Sequence, residues 1–479
     1  MTYKTPPRVF IGFSEIAGFY SGLRTGLEAC GCQVSFVEAK KNRFNYDSRG
    51  NSTALEQRIY QAFFGESVSR WTRLIGLFHA IRQHDVFIFS YGISFPGRKP
   101  HWALPWLKCF RKKIVFILTG SEARPPYIGR NGFCTRDGHP VSIHELLEST
   151  RNTARNIRLI EQYADLTVAH TLTAQFLSQP FISFLRLGNP ASFAALNKVR
   201  AAGLSRSESQ SIRILHAPSW PELKGSERIR HAVSALQSEG FNIDYTELTD
   251  VPNIQIIEEL TRTDLLIDQL YSDIPMASLA VEAASLEVPA LVGGYGWDYL
   301  LQSTDGDVMP PTFLCEPEKV TERLREILRG GKDAIERKGK EAKAFLSDHW
   351  QPKEVASRLL QCVETEPLEW VIDPVTCDYP WGCGVSKTAI AEMLSTIQSV
   401  GGDFFIDDKP HLLANYQSLQ NTMSDSESDT INHELVEMIE RNKQLQLKLK
   451  ALTEKLENFG AMKLRRDKRI AKLEQRLKK

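Results

Sequence analysis

The chain has 479 residues, 42% of them hydrophobic, enough to bury two or three cores. Its 59 basic and 58 acidic residues leave a formal charge of +1, so the chain as a whole has no general attraction to nucleic acid or to a membrane. Eight cysteines, at 30, 32, 109, 134, 315, 362, 377 and 383, form no CxxC ladder and read as reduced thiols in a cytoplasmic protein.

The opening MTYKTPPRVFIGF lacks a long apolar stretch after its basic residues, so no secretory signal is expected. No apolar run approaches the ~20 residues that span a bilayer. The strand RVFIGF leads through a Gly-punctuated turn, Gly12 to Gly22, into the helical SEIAGFYSGLRTGLEACG and the strand QVSFVEA. Further strands are expected at DVFIFS (85–90), KIVFILTG (113–120) and DLTVAH (165–170), with a helix from His144 to Tyr163 before the last. Apolar strands separated by helices predict a parallel sheet. FLRLGNPASF (184–193) is expected to lead out of this first domain, taken as residues 1–200, and SRSESQS (205–211) reads as a polar connection.

A second domain, 212–350, begins with IRILHAPSWPELKGSERIRHAVSALQSEG and continues to DLLIDQLYSDIPMASLAVEAASLEVPALVGG. Lys224 and Gly225 follow a strand and adjoin a helix, where one cation and backbone N–H groups meet a phosphate well. Glu282 lies in the small-residue helix after the buried strand DLLIDQL. Asp268 and Gln269 end that strand, and Pro275 leads to amides at Met276 to Ser278. Residues 351–430 hold a helix at QPKEVASRLLQCV, an irregular stretch, and a helix at KTAIAEMLSTIQSV.

The last segment, 431–479, has Ile431, Leu435, Met438, Asn442, Leu445, Leu449, Leu452, Leu456 and Phe459 at alternating steps of four and three. This heptad seam predicts a coiled coil, and Asn442 at a core position favours a parallel homodimer. Between Lys463 and Lys479 nine basic residues face two acidic ones, a basic end suited to peripheral contact with an anionic membrane or simply to solvent.

The order of elements around Lys224 and Glu282 resembles the donor-binding domain of retaining GT-B glycosyltransferases, the sucrose-synthase-like group called glycosyl transferases group 1 or family 4-like. The resemblance implies two Rossmann-like doubly wound domains facing a cleft. It implies transfer of a sugar, with retention, from a nucleotide-diphosphate sugar to a glycan or lipid-linked acceptor, in a setting such as bacterial surface polysaccharide synthesis. Lys224 and Gly225 would then hold the diphosphate and Glu282, followed by Ala283 and Ala284, the ribose, with Asp268, Gln269 and Ser278 lining the donor side. Thr119 and Glu122, in the run Thr119-Gly120-Ser121-Glu122-Ala123-Arg124, take the catalytic positions, and Gly12, Gly18 and Arg124 the acceptor and phosphate loops. No DxD motif stands at a strand end, and neither a metal nor a separate cofactor is expected. At three positions the chain departs from the family pattern: Ser219 for an Arg ahead of the Lys, Ile274 beside Asp273 for an upstream Glu, and Thr119 for a His. These departures motivate an alternative, a catalytically degenerate GT-B scaffold acting through its coiled coil. A chain ending near Asp429 is expected to lose the dimeric mass in light scattering, and a retained dimer would refute the role given to the tail.

Overall fold

The computed structural model describes residues 5–39, 53–66, 68–92, 94–97, 100–129, 141–190, 210–304, 306–365, 368–377, 379 and 384–423. The predicted coiled coil, its basic end and most of the polar connection lie outside them. Two sheets dominate. The first has seven strands: β1 (Arg8–Phe13), β2 (Gln33–Glu38), β3 (Val86–Ser90), β4 (Lys113–Ile117), β5 (Leu166–Ala169), β6 (Phe181–Ser183) and β12 (Val371–Ile372), in the order β12-β6-β5-β4-β3-β1-β2. All neighbours are parallel except β12 on β6. The second sheet has five parallel strands, β7 (Ile212–His216), β8 (Ile243–Glu247), β9 (Leu265–Gln269), β10 (Ala290–Gly293) and β11 (Phe313–Cys315), ordered β11-β10-β9-β7-β8.

Side chains alternate across a strand with period two, and the sequence uses this to sort its core. In the first sheet Phe10, Phe87, Phe89 and Phe116 face one side, joined by Phe95, which stacks on Phe10 at 5.4 Å. Val9, Ile11, Val86, Ile88, Val115 and Ile117 face the other. The aromatic face is covered by helices that include Ala54–Phe64, Arg70–Gln83 and Ile143–Tyr163, and the aliphatic face by Phe19–Ala29 and Pro352–Thr365. In the second sheet Leu215, Leu266 and Val292 pack toward Ser278–Ser285 and Gly331–His349, while Ile214, Leu265, Ile267 and Leu291 pack toward Ser226–Ser238 and Val320–Arg329.

The chain crosses back after the second sheet. Helix Pro352–Thr365 lies on Phe19–Ala29 so closely that a Cβ on Gly26 would stand 1.9 Å from the Pro352 carbonyl oxygen and 2.9 Å from Ala356 Cβ. Trp350, 1% exposed, fills the space beside Gly188, whose φ of 94° and lack of a Cβ let the indole approach. The described residues of 368–423, irregular or unassigned in the sequence apart from one helix, pack mostly on the first sheet, while Tyr379 packs against Tyr299 of the second domain. Helices Lys387–Ser399 and Pro410–Met423 join its aromatic core, and the Tyr127 hydroxyl donates to the Phe404 carbonyl at 2.8 Å.

Two doubly wound sheets joined by a returning helix and facing each other across a cleft are the GT-B architecture. β6 and the short helix Phe184–Leu187 continue the first domain, with Phe184 and Leu187 in its aliphatic core and Leu185 turned to the second, and a three-residue strand is too short to show periodicity in the sequence. No helix among the described residues is long and apolar enough to cross a membrane. Because neither Pro352 nor Ala356 is a flexible neighbour, Gly26→Ala should cost about 1–3 kcal/mol and lower the melting temperature by several degrees. Gly306→Ala, with nothing within 4 Å of its Cβ, is the control expected to melt as the parent does.

Candidate functional site

In both sheets the strand order reverses beside the first strand, between β1 and β3 and between β7 and β9. In open α/β sheets ligands bind outside the carboxyl ends of the strands at such a point. The second-sheet switch point carries Lys224 and the end of β9. After β7 the chain makes one short turn, Pro221–Lys224, and enters helix Ser226–Ser238 through Gly225. Gly225 has φ 77°, and a Cβ there would press Leu270 and Tyr271 at 3.0 Å. The turn is tied down by Leu270 N–H donating to the Lys224 carbonyl at 3.0 Å. It is also held by His216, fully buried, whose Nδ1 donates to the Ile267 carbonyl and whose Nε2 accepts from the Ser226 hydroxyl, each at 2.8 Å. Burial lowers the His216 pKa to about 4, so this ring is a neutral brace.

The half-buried Lys224 ammonium donates to Gln269 Oε1, and Gln269 Nε2 donates to the Ser272 hydroxyl at 2.8 Å. Burial lowers the Lys224 pKa, with Asp268 opposing the shift. Asp268 is 3% exposed, its pKa raised by burial against the pull of Lys224, and its Oδ2 has no hydrogen-bond partner among the described residues. Glu282 is also 3% exposed, and both its oxygens accept from Asn253 Nδ2, at 3.2 and 3.1 Å. Burial pushes Glu282 up to about 8, assisted by the charge of Asp268 and opposed by Asn253. Lys224, Asp268 and Glu282 thus form one electrostatic cluster, with Gln269 bonded to its cation. Ser278 opens the helix that carries Glu282, and its hydroxyl lies 3.5 Å from Nδ2 of Asn189 in the first domain.

The first-sheet switch point is used differently. In the glycine turn after β1 an acidic side chain of the turn itself takes several of the amides. Glu15, 9% exposed, accepts from the backbone N–H of Ile16 at 2.8 Å, Tyr20 at 3.2 Å and Ser21 at 2.9 Å, and from the Ser21 hydroxyl. An internal carboxylate therefore sits on the N-terminus of helix Phe19–Ala29, where an anion is most stable, and a phosphate there would meet like charge. Gly18, with φ 81°, makes the turn possible. Gly12 makes room for the Phe10 ring, 2.7 Å from where its Cβ would be. Gly12 and Gly18, expected at the acceptor and phosphate loops, thus belong to a turn in which Glu15 holds the amides that open the helix.

After β4, Glu122 turns back so that its Oε2 accepts from Gly120 N–H at 2.6 Å, and the Thr119 hydroxyl also bonds it. Burial raises the Glu122 pKa, opposed by these bonds and by Arg124. Arg124 crosses the cleft to Asp273 at 2.6 Å, the two side chains only 6% and 13% exposed. Asp273, the acid next to Ile274, is thereby committed to an interdomain ion pair. His170 stands at the end of β5, 3% exposed, against Phe184 at 4.1 Å, with its ring donating to the Thr119 carbonyl. Burial lowers its pKa to about 4, and its Nε2 has no partner among the described residues. Sequence reading assigned no role to Asn253, Asn189, His216, Glu15 or His170. The available signals were the positions of His216 and His170 at strand ends and of Asn253 at the start of a helix.

No family model matches the chain, and no curated protein matches it. Solved structures do. A glycosyltransferase from Rickettsia africae ESF-5 aligns at 11% identity over 76% of this chain and 98% of its own, with a TM-score of 0.44. HepE from Anabaena, solved with UDP-glucose, aligns at 13% identity over 74% and 99%, with a TM-score of 0.41. A UDP-N-acetylglucosamine 2-epimerase from Listeria monocytogenes aligns at 11% over 76% and 97%, with a TM-score of 0.37. Likeness of this degree says nothing about which reaction the cleft performs.

The Glu282 carboxyl has a testable pH signature. With its folded pKa raised to about 8 above an unfolded value near ~4.3, its contribution is fully present below about pH 4 and is lost as pH rises through 8. Thermal melts without ligand should show Glu282→Gln melting at least about 2 °C above the parent at pH 8, and the difference vanishing near pH 5. Parallel melting curves at both pH values would show that Glu282 is not held protonated.

Proposed function

We propose that the cleft binds a nucleotide-diphosphate sugar and transfers the sugar, with retention, to a glycan or lipid-linked acceptor. The observation that carries this reading is a set of buried polar atoms without partners among the described residues, contributed by both domains. They are Asp268 Oδ2 of the second domain and His170 Nε2, Arg124 Nε and Asn189 Oδ1 of the first, whose Arg124 and Asn189 side chains reach Asp273 and Ser278 of the second. A buried polar atom without a partner costs about 1–3 kcal/mol, and a ligand rich in hydroxyls and phosphate oxygens offsets that cost at several atoms together.

In this reading Lys224 and the amides after Gly225 hold the diphosphate, and Gln269 keeps the ammonium aimed at the cleft. Glu282 and Asp268 accept hydroxyls of the donor, while Ser278 and Asn189 close the same side from opposite domains. Glu282 gives up its proton on binding, because a hydroxyl donor favours the carboxylate. Thr119, Glu122, His170 and Arg124 shape the acceptor side. The acceptor oxygen forms its bond to the anomeric carbon on the face the diphosphate leaves. The leaving diphosphate oxygen takes the acceptor proton, so no side chain here has to act as base. Neither a metal nor a separate cofactor belongs to this reading. Dimerisation through 431–479, and surface-polysaccharide synthesis as the setting, come with the sequence resemblance.

A second reading, a GT-B scaffold without transfer activity, is favoured by the Glu15 carboxylate on the first domain's helix N-terminus together with Ser219, Ile274 and Thr119. Calorimetric titration with a panel of sugar nucleotides separates the two. The transferase reading expects one donor to bind, and Lys224→Ala and Glu282→Ala each to weaken it at least about tenfold, ~1.4 kcal/mol. Product mass analysis should then show one added sugar. A chain that binds no sugar nucleotide favours the scaffold, and unchanged affinity in both variants refutes the site.

A further inference from the structure

Helix Arg70–Gln83 is apolar on two faces. Gly76, Leu77, Ala80 and Ile81 are buried in the first domain's aromatic core. On the other side Trp71, Ile75 and Phe78, spaced by four and three residues, form a stripe that is 73%, 68% and 39% exposed. A helix that is apolar all round is normally covered all round. The stripe does not end at its own helix. Phe78 meets Trp106 at 5.7 Å and Phe110 at 5.6 Å, both edge to face, and these rings are themselves 42% and 46% exposed. Two separate helices, Arg70–Gln83 and Leu104–Cys109, with the residue after the second, thus build one continuous aromatic surface. Contiguous apolar surface of this kind marks an interaction site, unlike apolar residues scattered singly.

Cations rim the surface. Arg70 precedes Trp71, Arg82 continues the stripe one turn beyond Phe78, and Arg111 follows Phe110; all three are exposed. Asp85 pairs with Arg8 and Lys112, and Asp165 with Lys108 and Lys113, while the exposed Glu66, four residues before Arg70, is one acid against the three arginines. Excess positive charge therefore surrounds two phenylalanines and two tryptophans, Trp71 and Trp106, tryptophan being the amphipathic kind of ring that settles at a membrane interface.

We propose that this face of the first domain docks on an anionic lipid surface, with the rings at the headgroup boundary and the arginines on headgroup phosphates. Charge complementarity selects this occupant. A second copy using the same patch would bring like charges together, because a two-fold contact is self-complementary, whereas an anionic leaflet supplies the opposite charge over the whole rim. The surface is independent of the basic tail and of what the cleft binds.

Sedimentation of the full chain with phosphatidylcholine vesicles, alone or with about a third phosphatidylglycerol, tests this. The parent should bind the anionic vesicles at least about tenfold more tightly than the neutral ones, and less tightly as salt is raised. The triple variant Trp71→Ser, Ile75→Ser, Phe110→Ser and the triple variant Arg70→Glu, Arg82→Glu, Arg111→Glu should each lose at least about tenfold in affinity while melting as the parent does, since every changed residue is exposed. Both variants keep the tail, so binding equal to the parent's would overturn the assignment. A parent that ignores both vesicles would overturn it too, as would an apolar variant whose mass in light scattering halves while vesicle binding is unchanged, because the patch would then be a contact between copies.

Discussion

The seating of helix Pro352–Thr365 on helix Phe19–Ala29 is the contact on which the cleft depends. Gly26 permits it, because any side chain there would run into the Pro352 backbone. The returning helix, with Trp350 packed beside Gly188 and Arg358 bonding the Leu187 carbonyl, anchors the end of the second domain to the first. Apolar residues of both domains then share one core, in which Leu172 and Leu185 lie with Met276 and Trp350. This packing holds Arg124 within 2.6 Å of Asp273 and Asn189 near Ser278. The polar contacts across the cleft are consequences of that apolar seam. Ion pairs gain little by themselves once desolvation is counted, so they orient the cleft walls more than they hold them together.

The two switch points show one topology serving opposite electrostatic ends. After β1 the helix N-terminus is neutralised from within by Glu15, which binds three backbone N–H groups and a hydroxyl. After β7 the corresponding turn ends in Lys224, and the carboxylates nearby, Asp268 and Glu282, are held where burial disfavours their charge. The first arrangement is satisfied and rigid. The second keeps an Asp268 oxygen without a partner among the described residues and a Glu282 carboxyl whose proton affinity is raised by burial, and a polar ligand can change both. The physical ground for placing the chemistry on the second domain is this asymmetry, rather than the shared fold.

The same sorting of residues that builds the core also shapes the surface. Phenylalanines on one face of the first sheet, and Val and Ile on the other, leave the helices over the aromatic face packed against large rigid rings. Helix Arg70–Gln83 reaches that core through small and aliphatic residues, Gly76 and Ala80 among them, and so has its large side chains left to face outward. A helix can carry two apolar faces only when something other than its own domain covers the second.

Much of the fold was legible in the sequence. Buried parallel strands are short apolar runs, so β1 to β5, β7 and β9 could be read from local pattern. Lys224, Asp268, Gln269 and Glu282 could also be singled out, since strand exits of an α/β sheet are known from order alone. Tertiary structure decided what order could not: that most of the described residues of 368–423 return to the first sheet, that Glu15 takes several amides of the glycine turn, that Asn253 grips Glu282, and that Asp273 belongs to Arg124. Each of these joins residues far apart in the chain, or depends on which way a side chain turns at a loop. Local sequence fixes periodicity and turn chemistry, whereas partners, burial and the resulting shifts in proton affinity arise only when distant segments are packed into one low-dielectric space.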